Sequence, residues 1–162
     1  MILSKASADK KIRRMALEIA ERNSDKTEII IIGIKENGIY ITAKIEQYLK
    51  EVFSGAVKTL ALSINKKAPG EILLSEETDL KGKMIILADD VANSGRTMLY
   101  ALRPLLDHYP AQIETLALVE RTHKLFPVAL NYVGLSVSTS AHENIVVTVE
   151  NGEVAGAEIK NR

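Results

Sequence analysis

The chain has 162 residues, 46% of them hydrophobic and 26% charged, an ordinary globular balance, so we expect one domain over residues 1–162. With no cysteine, disulfides and thiolate metal sites are excluded. Lys plus Arg and Asp plus Glu both number 21, and a formal net charge of zero argues against a dedicated nucleic-acid binder, whose footprint is basic. Met1 to Ala8 lack the apolar stretch of a signal peptide, and no apolar run reaches the roughly 20 residues of a membrane helix, so a cytoplasmic protein is expected.

In chain order, Ile12, Met15, Ala16, Ile19 and Ala20 follow the apolar stripe of an amphipathic helix that fades at Asn23-Ser24-Asp25. Lys10, Lys11, Arg13 and Arg14 on that helix read as a solvated face. Ile29 to Ile32 form a β-branched run stopped by Gly33, apolar on both faces as a central parallel strand requires. A second helix follows, with Ile41, Ile45, Tyr48, Leu49 and Val52 on one side. Val57 to Ile64 reads as a strand, and the polar stretch Asn65 to Lys81, with Pro69-Gly70, as a long loop or small hairpin.

Met84 to Ala88 is another buried strand, and Arg96 to His108 a helix turning Leu99, Leu102, Leu105 and Leu106 inward, which Pro104 should kink or end early. Ile113 to Val119, Tyr132 to Val137 and Ile145 to Val149 complete the strands. Strands alternating with helices predict an α/β protein with an open, doubly wound, mostly parallel sheet flanked by helices. In such a sheet ligands bind beyond the carboxyl ends of the strands.

The unusual residues fall at those ends. Asp89-Asp90 follow an apolar strand directly, and Ser94, Gly95 and Thr97 then open a helix. Amides at a helix N-terminus with hydroxyls beside them cradle phosphate, and Gly95 lets the backbone turn tightly around the anion. Carboxylates on one side and a phosphate nest on the other suit a phosphorylated sugar, with the acids taking ribose hydroxyls and a hydrated Mg²⁺. Taken singly, these residues also fit a capped helix start with Ser94 or Asn93 as N-cap. Gly33 to Gly38 lies likewise between strand and helix. It has Walker A glycine spacing, but Ile39-Tyr40 stand where Lys and Ser or Thr are required.

The segment MIILADDVANSGRT (84–97) resembles the signature for phosphoribosyl pyrophosphate (PRPP) of type I phosphoribosyltransferases, with Ser94 in place of a threonine. LALVERTHKLFP (116–127) and NYVGLSVSTS (131–140) resemble its group of pyrimidine operon attenuation regulators and uracil phosphoribosyltransferases. The resemblance implies that fold with a small hood, Mg²⁺ as cofactor, PRPP and a nucleobase as substrates, and a homodimer. It implies that Asp89 and Asp90 act as catalytic carboxylates on the ribose hydroxyls and hold the metal through water. Asn93, Ser94, Gly95, Arg96 and Thr97 would bind the 5′-phosphate. Ile34, Lys35, Glu36 and Asn37 would bind pyrophosphate, with a cis peptide at Ile34-Lys35. Glu120, Arg121, His123, Tyr132 and Val133 would line the base pocket, with Tyr132 stacking on the base and the Val133 backbone reading its edge.

Glu120 and Asn93, where purine enzymes carry lysine and aspartate, lean toward a pyrimidine, uracil first. The chain departs from the resemblance at Asn65-Lys66-Lys67-Ala68, in a shortened arm, and at Glu36-Asn37. Two further readings stay open at this point: a nucleotide-sensing RNA-binding regulator, and a PRPP-binding domain without transfer.

Overall fold

The computed structural model describes residues 1–64 and 71–162. Asn65 to Gly70, which include Lys66, Lys67 and most of the departure in the arm, lie outside the described residues. The elements run β1 (Leu3–Ser4), α1 (Lys5–Arg22), β2 (Glu28–Ile34), α2 (Gly38–Val52), β3 (Ala56–Ile64), β4 (Ile72–Leu74), β5 (Met84–Ala92), α3 (Arg96–Leu106), β6 (Gln112–Arg121), β7 (Tyr132–Val137), β8 (Glu143–Glu150) and β9 (Glu153–Asn161).

Six strands form the main sheet in the order β4-β3-β2-β5-β6-β7. All neighbours pair in parallel except β4, which runs antiparallel along β3 at the edge, in keeping with the hairpin alternative for the arm. The isoleucine run explains why β2 sits centrally. Ile29 and Ile31 enter one apolar core with α1 and α2, while Ile30, Ile32 and Ile34 enter the other with α3. A strand whose alternate side chains are both apolar is stable only with helices on both faces.

The chain winds outward from β2 to β3 on one side and, after crossing back, from β5 to β6 and β7 on the other. The strand order therefore reverses between β2 and β5, where the loops above them diverge and leave a crevice.

A second, three-stranded antiparallel sheet, β1-β9-β8, forms the hood. Its Leu3, Ile145, Val147, Val154 and Ala157 join the core shared by α1 and α2. β9 carries no distinct alternation in the sequence, and it becomes a strand because β1 and β8 pair with its two edges.

Some expected faces shift. Val52 and Leu106 are exposed, at 47% and 60%, whereas Met98 and Ala101 are buried under α3. α3 ends at Leu106, two residues past Pro104 and short of His108. β5 continues beyond Ala88 to Ala92 because β6 extends alongside, pairing Ala117 with Asp89 and Glu120 with Ala92. The acidic pair thus belongs to the strand itself. Among the described residues no helix is long and apolar enough to cross a membrane.

Candidate active site

A cleft of about 780 Å³ opens at the carboxyl ends of β2, β3 and β5, where the strand order reverses. Asp89, Asp90 and Val91 form its floor, and Ile34 to Asn37 form one wall. Ser63 and Ile64 lie at the end of β3, Asn93 and Thr97 at the phosphate-type loop, and Ile145 to Val147 form an apolar wall from the hood.

Asp89 is only 9% exposed. Burial pushes its carboxyl well above the ordinary carboxylate range, and the adjacent Asp90 charge pushes it further, while the Asp90 backbone N–H bond to Asp89 Oδ1 (2.9 Å) opposes the rise. Asp90 is half-buried, with Oδ1 accepting from the Val91 N–H (2.8 Å) and Oδ2 from Asn37 Nδ2 (2.9 Å). Among the described residues neither carboxylate forms an ion pair with a lysine or arginine.

Two crowded carboxylates with no cation partner are a donor set that a hard, hydrated cation would relieve. No cluster of three or more metal-ligating side chains occurs among the described residues, so such an ion would be held jointly with water and ligand oxygens. These oxygens fit Mg²⁺.

Beside the floor, a recess of about 120 Å³ is bounded by Val91 to Gly95, Thr97 and Met98. Gly95 is the N-cap of α3, with a left-handed φ of 81°, and Ser94 Oγ takes the Arg96 N–H at 3.2 Å. The cap position therefore falls on Gly95, and neither Asn93 nor Ser94 occupies it. The Leu99 N–H closes the first helical turn on the Gly95 carbonyl (3.0 Å), so the amides ahead of it precede the intrahelical ladder. No acidic residue lies in the first turn of α3, so the positive end of its dipole faces the recess, which Asp89 also lines.

The loop after β2 comes close to the same floor. A Cβ on Gly38 would lie 2.9 Å from the Ala88 carbonyl, so glycine is what lets α2 begin against β5. Lys35 and Glu36 are exposed, and the Lys35 N–H bonds to the Leu62 carbonyl at 2.8 Å. The non-proline cis peptide lies at Lys35-Glu36, one bond later than Ile34-Lys35. Asn37 spans the cleft, donating to Asp90 and, at 3.3 Å, to the Val147 carbonyl.

A family model described as a phosphoribosyl transferase domain matches residues 1–151 of this chain. The chain belongs to the type I phosphoribosyltransferase family. It is 32% identical over 152 residues to "Bifunctional protein PyrR" of Streptococcus pneumoniae (strain CGSP14), covering 90% of this chain and 87% of that one. Its phosphoribosyltransferase fold is also seen in solved structures. A hypoxanthine-guanine phosphoribosyltransferase of Bacillus anthracis superimposes with a TM-score of 0.73 at 21% identity, over 90% of this chain and 85% of that one. The hypoxanthine phosphoribosyltransferase of Trypanosoma cruzi reaches 0.80 at 15% identity, over 96% and 94%.

In this chain the five residues expected around the base are not among those lining the cleft. Tyr132 is fully buried in the α1 core, its hydroxyl donating to Glu114 (2.9 Å) and accepting from Asn23 Nδ2 (3.1 Å), with the Arg22 guanidinium 5.0 Å from its ring centre. Burial and the Glu114 hydrogen bond push its hydroxyl far above the ordinary tyrosine range. It cannot stack on a base from there. The Val133 carbonyl already accepts from Arg14 Nη2 at 2.9 Å, so α1's basic face is partly spent on holding β7.

Glu120 stands at the end of β6, with Lys124 Nζ on one oxygen (2.6 Å) and Ser136 Oγ on the other (2.7 Å). Arg121 is buried and donates to the Ser140 carbonyl, while His123 is exposed. The segment between them and β7 has another task. The Leu125 and Phe126 N–H groups both bond to the Ser94 carbonyl at 3.0 Å and brace the phosphate-type loop. Sequence reasoning missed this brace, the apolar wall Ile145 to Val147 and the span of Asn37. The strand at 145–149 was visible, but nothing local says which loop it will face.

Proposed function

We propose that this chain transfers ribose 5-phosphate from PRPP to a nucleobase, releasing pyrophosphate and forming a nucleoside monophosphate. One observation carries the reading. Above the switch between β2 and β5, a phosphate-sized recess at a helix N-terminus, a pair of cation-free carboxylates and a glycine-opened loop face one cleft. The spacing follows the donor substrate: phosphate in the recess, ribose over Asp89 and Asp90, pyrophosphate toward Ile34 to Asn37.

The reaction breaks the bond from C1 to the pyrophosphate oxygen and forms one from C1 to a base nitrogen, through an oxocarbenium-like state. Asp89 and Asp90 accept hydrogen bonds from the 2′- and 3′-hydroxyls and orient the sugar. Their negative charge also favours the cationic sugar ring as the leaving group departs. The amides before Leu99, with the hydroxyls of Ser94 and Thr97, hold the 5′-phosphate. Mg²⁺, bound by the two carboxylates through water, would neutralise the leaving pyrophosphate.

Given where Tyr132 and Val133 lie, we place the base against Val146, the half-buried side chain of the β8 wall whose neighbours Ile145 and Val147 turn into the core, an apolar contact that suits a flat ring. Uracil is our first choice. The sequence resemblance supports it, and both amide atoms of Asn93 are engaged elsewhere, so that residue offers no acid or base to a purine ring.

A panel of nucleobases with PRPP and Mg²⁺, read as pyrophosphate release, tests the proposal. Turnover should be fastest with uracil, and Asp90→Asn should cut it roughly 100-fold or more while leaving the melting transition in place. Full turnover in that variant would remove the carboxylate role, and release with no base in the panel would overturn the transferase reading.

A further inference from the structure

The hood and the main sheet are separate hydrogen-bonded sheets, yet the cleft has walls from both. One edge of β8 is paired with β9. On its other edge, Ile145 and Val147 are met by side-chain amides. Asn93 Nδ2 donates to the Ile145 carbonyl at 3.0 Å, and the Ile145 N–H donates to Asn93 Oδ1 at 3.1 Å. An amide that both gives and takes on one residue reproduces the two-bond exchange of a strand pair. Asn37 adds a single, longer bond to the Val147 carbonyl.

Asn93 thus belongs at once to the rim of the phosphate recess and to the support of the apolar wall, 52 residues away in sequence.

We propose that Asn93 is a positioning residue that couples occupation of the phosphate recess to placement of the base-facing wall on β8. This rests on the proposed transferase reading and deepens it by naming what sets the width of the base site. Any ligand phosphate that orders residues 91–97 orders Asn93, and Asn93 carries Ile145 with it. The wall is then in register for a base only when the sugar phosphate is seated.

Two substitutions separate this role from a merely structural one. Asn93→Asp keeps the acceptor for the Ile145 N–H but sets a carboxylate against the Ile145 carbonyl. Asn93→Ala removes both bonds. The first measurement is amide hydrogen exchange at Ile145, with and without ribose 5-phosphate as probe.

In the wild type the probe should slow exchange at Ile145. In Asn93→Ala, exchange should be roughly tenfold or more faster and no longer respond to the probe, the fold-change expected when a partly buried group loses its partner. The second measurement is steady-state kinetics with uracil. Asn93→Ala, which adds no charge beside the recess, should raise KM for the base roughly tenfold or more even at saturating PRPP. Asn93→Asp, which keeps the bond to the Ile145 N–H, should leave Ile145 exchange nearer to wild type.

Unchanged exchange at Ile145 in Asn93→Ala, or a base KM in that variant equal to the wild-type value, would overturn the coupling. A wild type that binds ribose 5-phosphate and shows the exchange contrast, but turns over no base, would overturn the transferase reading and leave the coupling standing. A wild type that binds no ribose 5-phosphate would overturn both.

Discussion

Asp89 is ionised only against its surroundings: it is buried, Asp90 stands beside it, and no cation pairs with either among the described residues. A carboxyl whose pKa is raised in the folded state binds its proton more tightly there than in the unfolded chain. Its contribution is therefore present below the ordinary carboxylate pKa and is lost as pH rises through the raised value. Without ligand or metal, Asp89→Asn should melt higher than wild type at pH 7, with the gap narrowing as the pH falls through the raised value and closed by about pH 4, the ordinary aspartate range. Thermal melts across pH check this, and the same variant should lose Mg²⁺-dependent PRPP binding.

Tyr132 tests the opposite assignment. Its hydroxyl is locked to Glu114 and Asn23, so Tyr132→Phe should cost about 1–3 kcal/mol in urea unfolding while leaving KM for the base unchanged. A raised base KM with unchanged stability would return this ring to the base site.

Among the elements, the turn between β5 and α3 depends on backbone conformation more than on side-chain chemistry. Gly95 holds φ at 81°, and a Cβ there would approach the Phe126 carbonyl at 3.3 Å, the same carbonyl-bearing segment that braces Ser94. Gly95→Ala imposes a left-handed alanine, at a cost of about 1–2 kcal/mol, and crowds that brace. Ribose 5-phosphate affinity by calorimetry should fall roughly tenfold, with only a small drop in melting temperature if the turn relaxes outward. β8 shows a complementary dependence. Its alternating Ile145 and Val147 reach into the core of α1 and α2, so the wall facing the cleft is anchored by hydrophobic burial from behind and by two asparagines along its edge.

Across the whole molecule, the hood is made from both ends of the chain: β1 precedes the first helix, and β8 and β9 follow the last strand of the main sheet. A ligand seated between hood and sheet touches both and should stabilise them as a unit. PRPP with Mg²⁺ at about 100 times its Kd should add about 2.7 kcal/mol to stability, and chelating the metal should abolish the gain. Stabilisation that survives chelation would show that the carboxylates hold the sugar without a cation. Net charge offers no guide here, because the formal balance of zero hides an acidic cleft floor and a basic α1 whose Arg14 is bonded to β7.

The local signals that could be read along the chain were those with short-range causes. Periodicity placed α1, α2 and the parallel strands of the main sheet, because a central strand must be apolar on both faces and a flanking helix on one. Asp89-Asp90 and Ser94-Gly95-Arg96-Thr97 stood out because propensity alone gives no reason for two acids at a strand end beside a glycine turn. The folded chain decided what depends on distant neighbours. Tyr132 went to the core because Asn23 and Glu114, far away in sequence, offer its hydroxyl a buried partner. Asn93 turned from the phosphate to Ile145 because β8 arrives with an unpaired edge, a meeting of residues 52 apart that no local pattern encodes. The acidic pair was evident from its residues; the wall it faces exists only once the hood has folded over it.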